Sequence, residues 1–292
     1  MRCAIVVNPT SGKRRGVQIG DHAQARLIAA GHDTLVIQGE NVALAHEQLQ
    51  KAIADSVDTV LVVGGDGAMH GVLDLLADTD LTFGLLPAGT GNDMARTLDI
   101  PVKDHDAAID IVLGGNSRCI DLASVGEDGT LVATVVASGF DSKVNERANA
   151  IRWPRGNMKY NLAIIAELRT FQPLAFSLTL DDGEVLQRHA MLVAVGNGPS
   201  FGRGLRICEG AALDDGLLDV VVINPVSKLK LLRVFPQLYR GTHTSLPQFE
   251  RHRVRSVTLD SPDVVAYGDG ERLGHLPRTV RVRPASLTVF CP

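Results

Sequence analysis

The sequence predicts an α/β domain over residues 1–125 followed by a β-rich domain over 126–292. Three observations carry this. Short apolar runs alternate with amphipathic segments up to about residue 125. Beyond that point most segments read as strands joined by Gly, Asp-Gly or Pro turns. The chain also holds 29 glycines among 292 residues, against twelve aromatics, and they cluster where apolar runs end. Glycine well above the roughly 7% average signals backbone that needs positive φ or lies close to a ligand. The length suits two domains of ordinary size.

In order along the chain, Cys3 to Val7 reads as a buried strand. The loop Asn8-Pro9-Thr10-Ser11-Gly12-Lys13-Arg14-Arg15 follows, then a helix over 17–30 ending at Gly31. Thr34 to Ile37 is a second strand, and Val42, Ala45, Leu49 and Ile53 put one apolar face on the next helix. Thr59 to Val63 is a third strand, leading into Gly64-Gly65-Asp66-Gly67 and a helix with Met69, Val72, Leu73 and Leu76 on one face. Leu81 to Leu86 is a fourth, and Pro87-Ala88-Gly89-Thr90-Gly91-Asn92-Asp93 opens another helix. This alternation means βαβ units and a mostly parallel sheet with helices on both faces. After residue 125, segments 130–138, 174–181, 184–195, 217–223, 253–260, 264–268, 279–283 and 286–290 read as strands, with Asp182-Gly183 among the turns. Only two helices are expected there, at 156–170 and 227–240. A sandwich or barrel follows, with a return of the last strand to the first domain left open.

Composition excludes several classes. A formal net charge of −4, with 45% hydrophobic and 21% charged residues, argues against a disordered chain, a coiled coil and a dedicated nucleic-acid binder. The N-terminal apolar run of about five residues is shorter than a signal peptide's 7–15. No stretch approaches the ~18 apolar residues of a transmembrane segment. Cys3, Cys119, Cys208 and Cys291 are scattered without CxxC spacing, and the nine histidines form neither HxxxH nor HExxH. Neither a zinc site nor a disulfide framework is expected. The expectation is a soluble cytoplasmic protein.

The glycine clusters at 64–67 and 89–91 fall where a strand ends and a helix begins. In a parallel sheet that is the carboxyl edge, where ligands bind, and exposed backbone N–H groups there suit phosphate. Two plain tight turns are the bland alternative. No GxxxxGK[ST] is present, and His70 stands where GxGxxG needs its last glycine, so neither the P-loop nor the dinucleotide fingerprint is complete. A carboxylate at Asp66 would repel bare phosphate. It makes sense beside Mg2+ bridging to phosphate, or acting on an attacking hydroxyl. That favours phosphoryl transfer over redox chemistry.

Asn8-Pro9-Thr10-Ser11-Gly12, Gly64-Gly65-Asp66-Gly67 and Pro87-Ala88-Gly89-Thr90-Gly91-Asn92-Asp93-Met94-Ala95 resemble the diacylglycerol kinase catalytic family, in its soluble bacterial branch related to sphingosine and ceramide kinases. The likeness continues in Ile120-Asp121-Leu122, Gly139-Phe140-Asp141, Ala212-Leu213-Asp214-Asp215-Gly216-Leu217-Leu218-Asp219 and Asp269-Gly270-Glu271. It implies a phosphofructokinase-like α/β nucleotide domain, a β-sandwich lipid domain and an active site between them. It implies transfer of the ATP γ-phosphate to a lipid hydroxyl, with diacylglycerol first and phosphatidylglycerol or a sphingoid base using the same machinery. By the same resemblance Asn8, Gly64, Gly65, Asp66, Gly67, Ala68, Gly71, Gly89, Thr90, Gly91 and Asn92 would surround the nucleotide. Asp66 would serve the catalytic Mg2+ or the hydroxyl, and Glu271 would be the general base. Asp215 and the carbonyls of Ala212 and Leu217 would hold a structural Mg2+, linked to the active site through Asp121. Asp215 and Glu271 also sit in sequences that make ordinary turns.

Two departures stand out. Ala68 replaces the family's usual threonine, removing one hydroxyl donor worth about 1 kcal/mol, and Gln38 or Glu40 stands where a threonine usually meets the nucleotide. Lys13, Arg14 and Arg15 face either phosphate or solvent. Trp153, among Arg147, Arg152, Arg155 and Lys159, reads as a membrane-surface contact or as a solvated basic loop. NAD kinase and a nucleotide-sensing relative without catalysis are the alternative functions. The expected partner is a lipid at the membrane surface, and a homodimer is compatible with the sequence.

Overall fold

The computed structural model describes every residue except Thr10, Gly12, Lys13, Arg14, Glu40, Arg152, Pro154, Arg155, Gly156 and Asp182. The readings made for Lys13, Arg14, Glu40, Arg152, Arg155 and Asp182 lie outside the described residues. Four parallel strands, β1 (Arg2–Val7), β2 (Asp33–Ile37), β3 (Thr59–Gly64) and β4 (Thr82–Pro87), lie in the order β2-β1-β3-β4. Every residue of β3 is buried, as a strand covered on both faces requires. Helices α1 (Gly16–Ala29), α2 (Val42–Ala54), α3 (Asp66–His70), α4 (Leu73–Leu76), α5 (Asp93–Thr97) and α6 (His105–Gly114) connect and follow these strands. The Asn41 and Asp104 side chains cap α2 and α6 by accepting the Leu44 and Ala107 N–H groups at 2.9 and 3.0 Å.

The later strands are β5 (Ser117–Val125), β6 (Thr130–Val132), β7 (Val135–Gly139), β8 (Leu174–Leu180), β9 (Val185–Ala190), β10 (Leu192–Gly196), β11 (Leu218–Ile223), β12 (Phe249–Val254), β13 (Ser256–Asp260), β14 (Val265–Gly268), β15 (Glu271–His275) and β16 (Arg278–Phe290). Six of them form a sheet ordered β12-β11-β10-β7-β14-β15. It packs on the other sheet through Ala123, Val136, Phe176, Val193, Val220 and Val257, making a β-sandwich. Strand β16 runs antiparallel to β5 and β13, and its far end pairs parallel with β4 through Thr288–Thr82 and Val289–Phe83. The α/β sheet and one sandwich layer are therefore one ten-stranded mixed sheet.

Several boundaries differ from the sequence reading. The helix expected after the first glycine turn is two short ones, because α3 ends at Gly71 and α4 restarts at Leu73. The run 184–195 divides at Met191 into β9 and β10, which belong to different sheets. Segment 130–138 divides into β6 and β7, and 253–260 spans the end of β12 and all of β13. The two strands expected at 279–283 and 286–290 are the single strand β16, interrupted by a register shift between Arg283 and Leu287. Besides α8 (Asn157–Thr170) and α9 (Lys228–Arg240), a third helix, α7 (Phe140–Ala150), follows β7.

Candidate active site

The two glycine turns meet at the carboxyl edge of β3 and β4. Gly64 pairs with Pro87, and the Ala88 N–H donates to the Gly64 carbonyl at 2.8 Å. Gly65 and Gly89 touch backbone to backbone. A Cβ on Gly65 would lie 2.9 Å from the Gly89 Cα, and one on Gly89 only 2.4 Å from the Gly65 Cα. Asn92, left-handed at φ 54°, folds its amide onto Gly89, accepting its N–H and donating to its carbonyl, both at 3.0 Å. Beside the turns, Asn8 donates its N–H to the Val63 carbonyl at 3.1 Å. Thr90 is exposed and lines the cavity described below, while Gly71 ends α3. Ala68 packs its methyl group against the α/β core, and Gln38 is exposed past the end of β2.

Asp66 opens α3, and its Oδ1 accepts the Asp93 and Met94 N–H groups at 2.8 and 3.3 Å. The first amides of α5 are thus satisfied by this carboxylate. A Cβ on Gly91 would stand 2.5 Å from Asp66 Oδ2, so the glycine leaves room for that oxygen. Burial, then the neighbouring Asp93 charge, push the Asp66 carboxyl up to about 6. Asp93 is also raised by burial; it accepts the Arg203 and Gly204 N–H groups at 2.9 and 2.5 Å. These bonds fasten a loop of the sandwich to α5.

A second fastening comes from the turn between β14 and β15. Asp269 (φ 50°) and Gly270 (φ 90°) both take left-handed conformations there. The buried Asp269 carboxylate accepts the Ala133 N–H at 2.7 Å, the Thr134 N–H at 3.0 Å and the Thr134 hydroxyl at 2.5 Å. His70, at the end of α3, brings Nδ1 to 3.7 Å from it. Asp269, followed by Glu271 and Asp74, raises the imidazole's pKa against the opposing effect of burial. The same turn presents Glu271, whose Oε1 lies 3.3 Å from where a Cβ on Gly67 would stand. Glu271 is thereby brought against the first glycine turn.

From this cluster a cavity of about 540 Å³ extends over the face of the six-stranded sheet that points away from the sandwich core, beneath α7, α8 and α9. Asp66, Thr90, Gly91, Asp93, Asp269 and Gly270 line its polar end. Val135, Ala137, Leu192, Ile207, Leu238 and Phe249 line the rest, with α7 and α8 contributing Phe140, Val144, Tyr160 and Ile164. One end holds phosphate-compatible backbone and carboxylates, and the remainder suits hydrocarbon.

The Asp215 turn lies apart from this cluster and joins it through buried hydrogen bonds. Asp121 accepts the Gly216 and Ala285 N–H groups at 2.7 and 2.8 Å. The Asn197 amide donates to the carbonyls of Asp121 and Ala133 at 2.8 and 2.9 Å, and Ala133 bonds Asp269. Asp215 itself accepts the Leu217 N–H at 3.0 Å and pairs with Arg253. The Asp215 carboxylate and the Ala212 and Leu217 carbonyls are all oxygen donors, the chemistry Mg2+ prefers. No group of three or more His, Cys, Asp or Glu positioned for a metal occurs among the described residues.

Sequence reasoning assigned no role to Asp93, Asp269, His70 or Asn197. Asp93 and Asp269 lay inside motifs already quoted, and a polar residue within a glycine turn was the available signal. Asn197 stands between Gly196 and Gly198, a third glycine cluster, and His70 occupies the last glycine position of the incomplete GxGxxG, so a local signal was present at both.

Residues 2–125 match the family described as the diacylglycerol kinase catalytic domain, and residues 134–291 match the YegS C-terminal NAD kinase beta sandwich-like domain. A diacylglycerol kinase of Mycobacterium tuberculosis is 41% identical over 290 residues, covering 98% of this chain and 94% of the relative. One from Staphylococcus aureus is 27% identical, covering 100% and 92%. Among solved structures, a diacylglycerol kinase from Bacillus anthracis shares the fold at TM-score 0.78 and 23% identity, covering 100% of this chain and 97% of that one. Yeast NADH kinase in complex with NADH shares it more loosely, at TM-score 0.52 and 13% identity, covering 100% and 84%. With both halves matched, a relative 41% identical over nearly the whole chain, and Asp66, Thr90 and Gly91 at one end of an apolar cavity, this chain belongs to the diacylglycerol kinase family and is a lipid kinase.

Proposed function

We propose that the protein transfers the γ-phosphate of ATP to the free hydroxyl of diacylglycerol, yielding phosphatidic acid and ADP, in the presence of Mg2+. The observation that carries this reading is the joining of the glycine-turn cluster to the apolar cavity, so that phosphates and acyl chain reach one point from opposite sides. The backbone of the two turns, with Asn8 and Thr90, holds the nucleotide. The acceptor oxygen bonds the γ-phosphorus as the bridging P–O bond to ADP breaks, and the hydroxyl proton passes to Glu271. Asp66 lines the polar end of the cavity and is the candidate ligand for the nucleotide's Mg2+. When bound, that ion neutralises charge developing on the phosphates. Asp215, with the carbonyls of Ala212 and Leu217, is the candidate structural Mg2+ site, and Asp121 and Asn197 tie its turn to Asp269.

No helix among the described residues is long and apolar enough to cross a membrane. We place the enzyme in the cytoplasm, in peripheral contact with the bilayer that holds its acceptor. The test is incubation of the pure protein with γ-labelled ATP, Mg2+ and, separately, diacylglycerol, phosphatidylglycerol, sphingosine and NAD. Label in phosphatidic acid is expected. Label in another lipid replaces the acceptor, label in NAD overturns the lipid reading, and transfer to none removes catalysis.

A further inference from the structure

One carboxylate in the cavity lies away from the reacting groups. Asp141, in the first turn of α7, lines the cavity beside Phe140 and Val144 of the same helix. Its Oδ2 accepts the Asn145 amide at 3.1 Å, and Asn145 lines the cavity too. Among the described residues no cation pairs with Asp141. The cations next to it on α7 are engaged elsewhere: Lys143 donates to the Asp263 carbonyl at 3.0 Å, and Arg147 meets Glu167 at 2.5 Å. Burial alone pushes the Asp141 carboxyl up to about 6. The N-terminus of α7 offsets only part of that penalty.

The position of this carboxylate along the cavity is set by β7. Thr134 and Asp269 stand at the polar end, and β7 leads away from them with Val135 and Ala137 facing the cavity. At its far end Gly139 pairs with Leu192, another lining residue, and α7 begins at once. The four steps from Val135 to Gly139, at about 3.4 Å each, put Asp141 on the order of 14 Å from the polar end. An extended hydrocarbon chain with bonds of about 1.5 Å covers that distance in roughly eleven bonds. Counted from the acceptor hydroxyl of a diacylglycerol, this reaches the middle of a stearoyl chain. Plain hydrocarbon laid against Asp141 would strip water from the carboxylate and return no hydrogen bond. A hydroxyl at the same level supplies the missing donor, and a bond to an ionised acceptor is among the stronger ones.

We propose that Asp141, held by Asn145, is a chain-recognition subsite of the acceptor cavity, and that the favoured acceptor is a lipid with a hydroxyl near the middle of its acyl chain. The proposal rests on the reading that places the acyl chain in this cavity with its acceptor hydroxyl at the polar end.

The experiment uses the full chain and three diacylglycerols in detergent micelles: one with plain stearoyl chains, one hydroxylated on the tenth carbon of each chain, and one on the second. Phosphorylation is followed with γ-labelled ATP and Mg2+. Binding is measured separately without ATP, by displacement of a fluorescent fatty-acid analogue. The parent chain should favour the lipid hydroxylated at the tenth carbon over the plain one by at least about tenfold, in both Kd and kcat/KM. The hydroxyl on the second carbon should bring no gain. Asp141→Leu should bring the ratio to about one, weakening the hydroxylated lipid and tightening the plain one. Asp141→Asn keeps the shape and should lower the ratio severalfold; it carries the test if circular dichroism shows the leucine variant unfolded. A parental ratio within twofold of one overturns the proposal, and so does a preference that survives in the folded variants. An equal gain from both hydroxyl positions also overturns it, since Asp141 would not be what reads the chain. If binding shows the preference but no lipid is labelled, the kinase reading fails and the subsite stands. If all three lipids are labelled equally well, the subsite fails and the kinase reading stands.

Discussion

Gly89→Ala is the substitution with the most direct structural consequence. The added methyl carbon would sit 2.4 Å from the Gly65 Cα, 2.8 Å from Asn92 Oδ1 and 3.1 Å from the Gly65 nitrogen. Carbon–carbon contact needs about 3.5–4.0 Å, so one glycine turn must retreat by roughly 1.1–1.6 Å. Neither neighbour is a flexible chain end; one is backbone, and the other is the amide held to Gly89 by two hydrogen bonds. Overpacking of this kind costs about 1–3 kcal/mol, and on a chain of this size each kcal/mol lowers Tm by roughly 2–4 °C. The larger effect falls on activity, because shifting reacting groups by about 1 Å costs on the order of a hundredfold in rate. Steady-state kinetics with varied ATP, alongside thermal unfolding, should show kcat/KM for ATP down about a hundredfold and Tm down by several degrees. Gly114→Ala is the internal control, since a Cβ there meets nothing within 4 Å. A Gly89→Ala enzyme with parental kcat/KM and Tm would refute the account of how the two turns fit together.

Four further outcomes are expected. Glu271→Gln should lower kcat by roughly 10²–10⁴ while nucleotide affinity, measured by calorimetry, stays within about twofold; near-normal turnover would remove Glu271 as base. Asp66→Asn should abolish turnover yet stabilise the metal-free protein at neutral pH. The native Asp66 carboxyl, raised from 3.8 to about 6, loses stability as pH rises through that interval and has none to lose below about pH 4. Urea unfolding in chelator should therefore show a gain of up to roughly 3 kcal/mol above pH 6 that vanishes near pH 4; a gain independent of pH would contradict this. Asp269→Ala leaves three buried donors at Ala133 and Thr134 without their acceptor, so unfolding free energy should fall by about 3 kcal/mol, and a loss under 0.5 kcal/mol would argue against the clamp. Asp215→Ala should raise the Mg2+ concentration for half-maximal activity by roughly tenfold or more; an unchanged Mg2+ titration would release Asp215 from the metal.

The parts of the site carried by local sequence were legible. A strand followed by Gly-Gly-Asp-Gly or Gly-Thr-Gly-Asn predicts a turn at the carboxyl edge of a parallel sheet, and two such turns on adjacent strands meet there by topology alone. The rest depends on contacts between distant segments. Asp93 is buried through Arg203 and Gly204, Asp269 through Ala133 and Thr134, and Asn197 through Asp121. No periodicity records those meetings. Helix α7 was missed because Phe140–Ala150 is polar around most of its circumference, and its buried residues Val144 and Ala148 find their partners on α8. Met191 carries neither glycine nor proline to mark the step between β9 and β10. Pro284-Ala285-Ser286 looks like a turn between two strands. It is an irregularity within one, with Ala285 at φ 50° and the ladder resuming at Leu287.

The β16–β4 ladder sets how this enzyme can move. Many two-domain kinases close by rotating one lobe on a flexible linker. Here the nucleotide half and one sandwich layer share a continuous sheet, so such a rotation would have to shear main-chain hydrogen bonds across Thr82–Thr288 and Phe83–Val289. The same bond means that neither half is a self-contained module. Excising residues 1–125 would bare the flank of β4, a row of unpaired amides and carbonyls open to association with other chains.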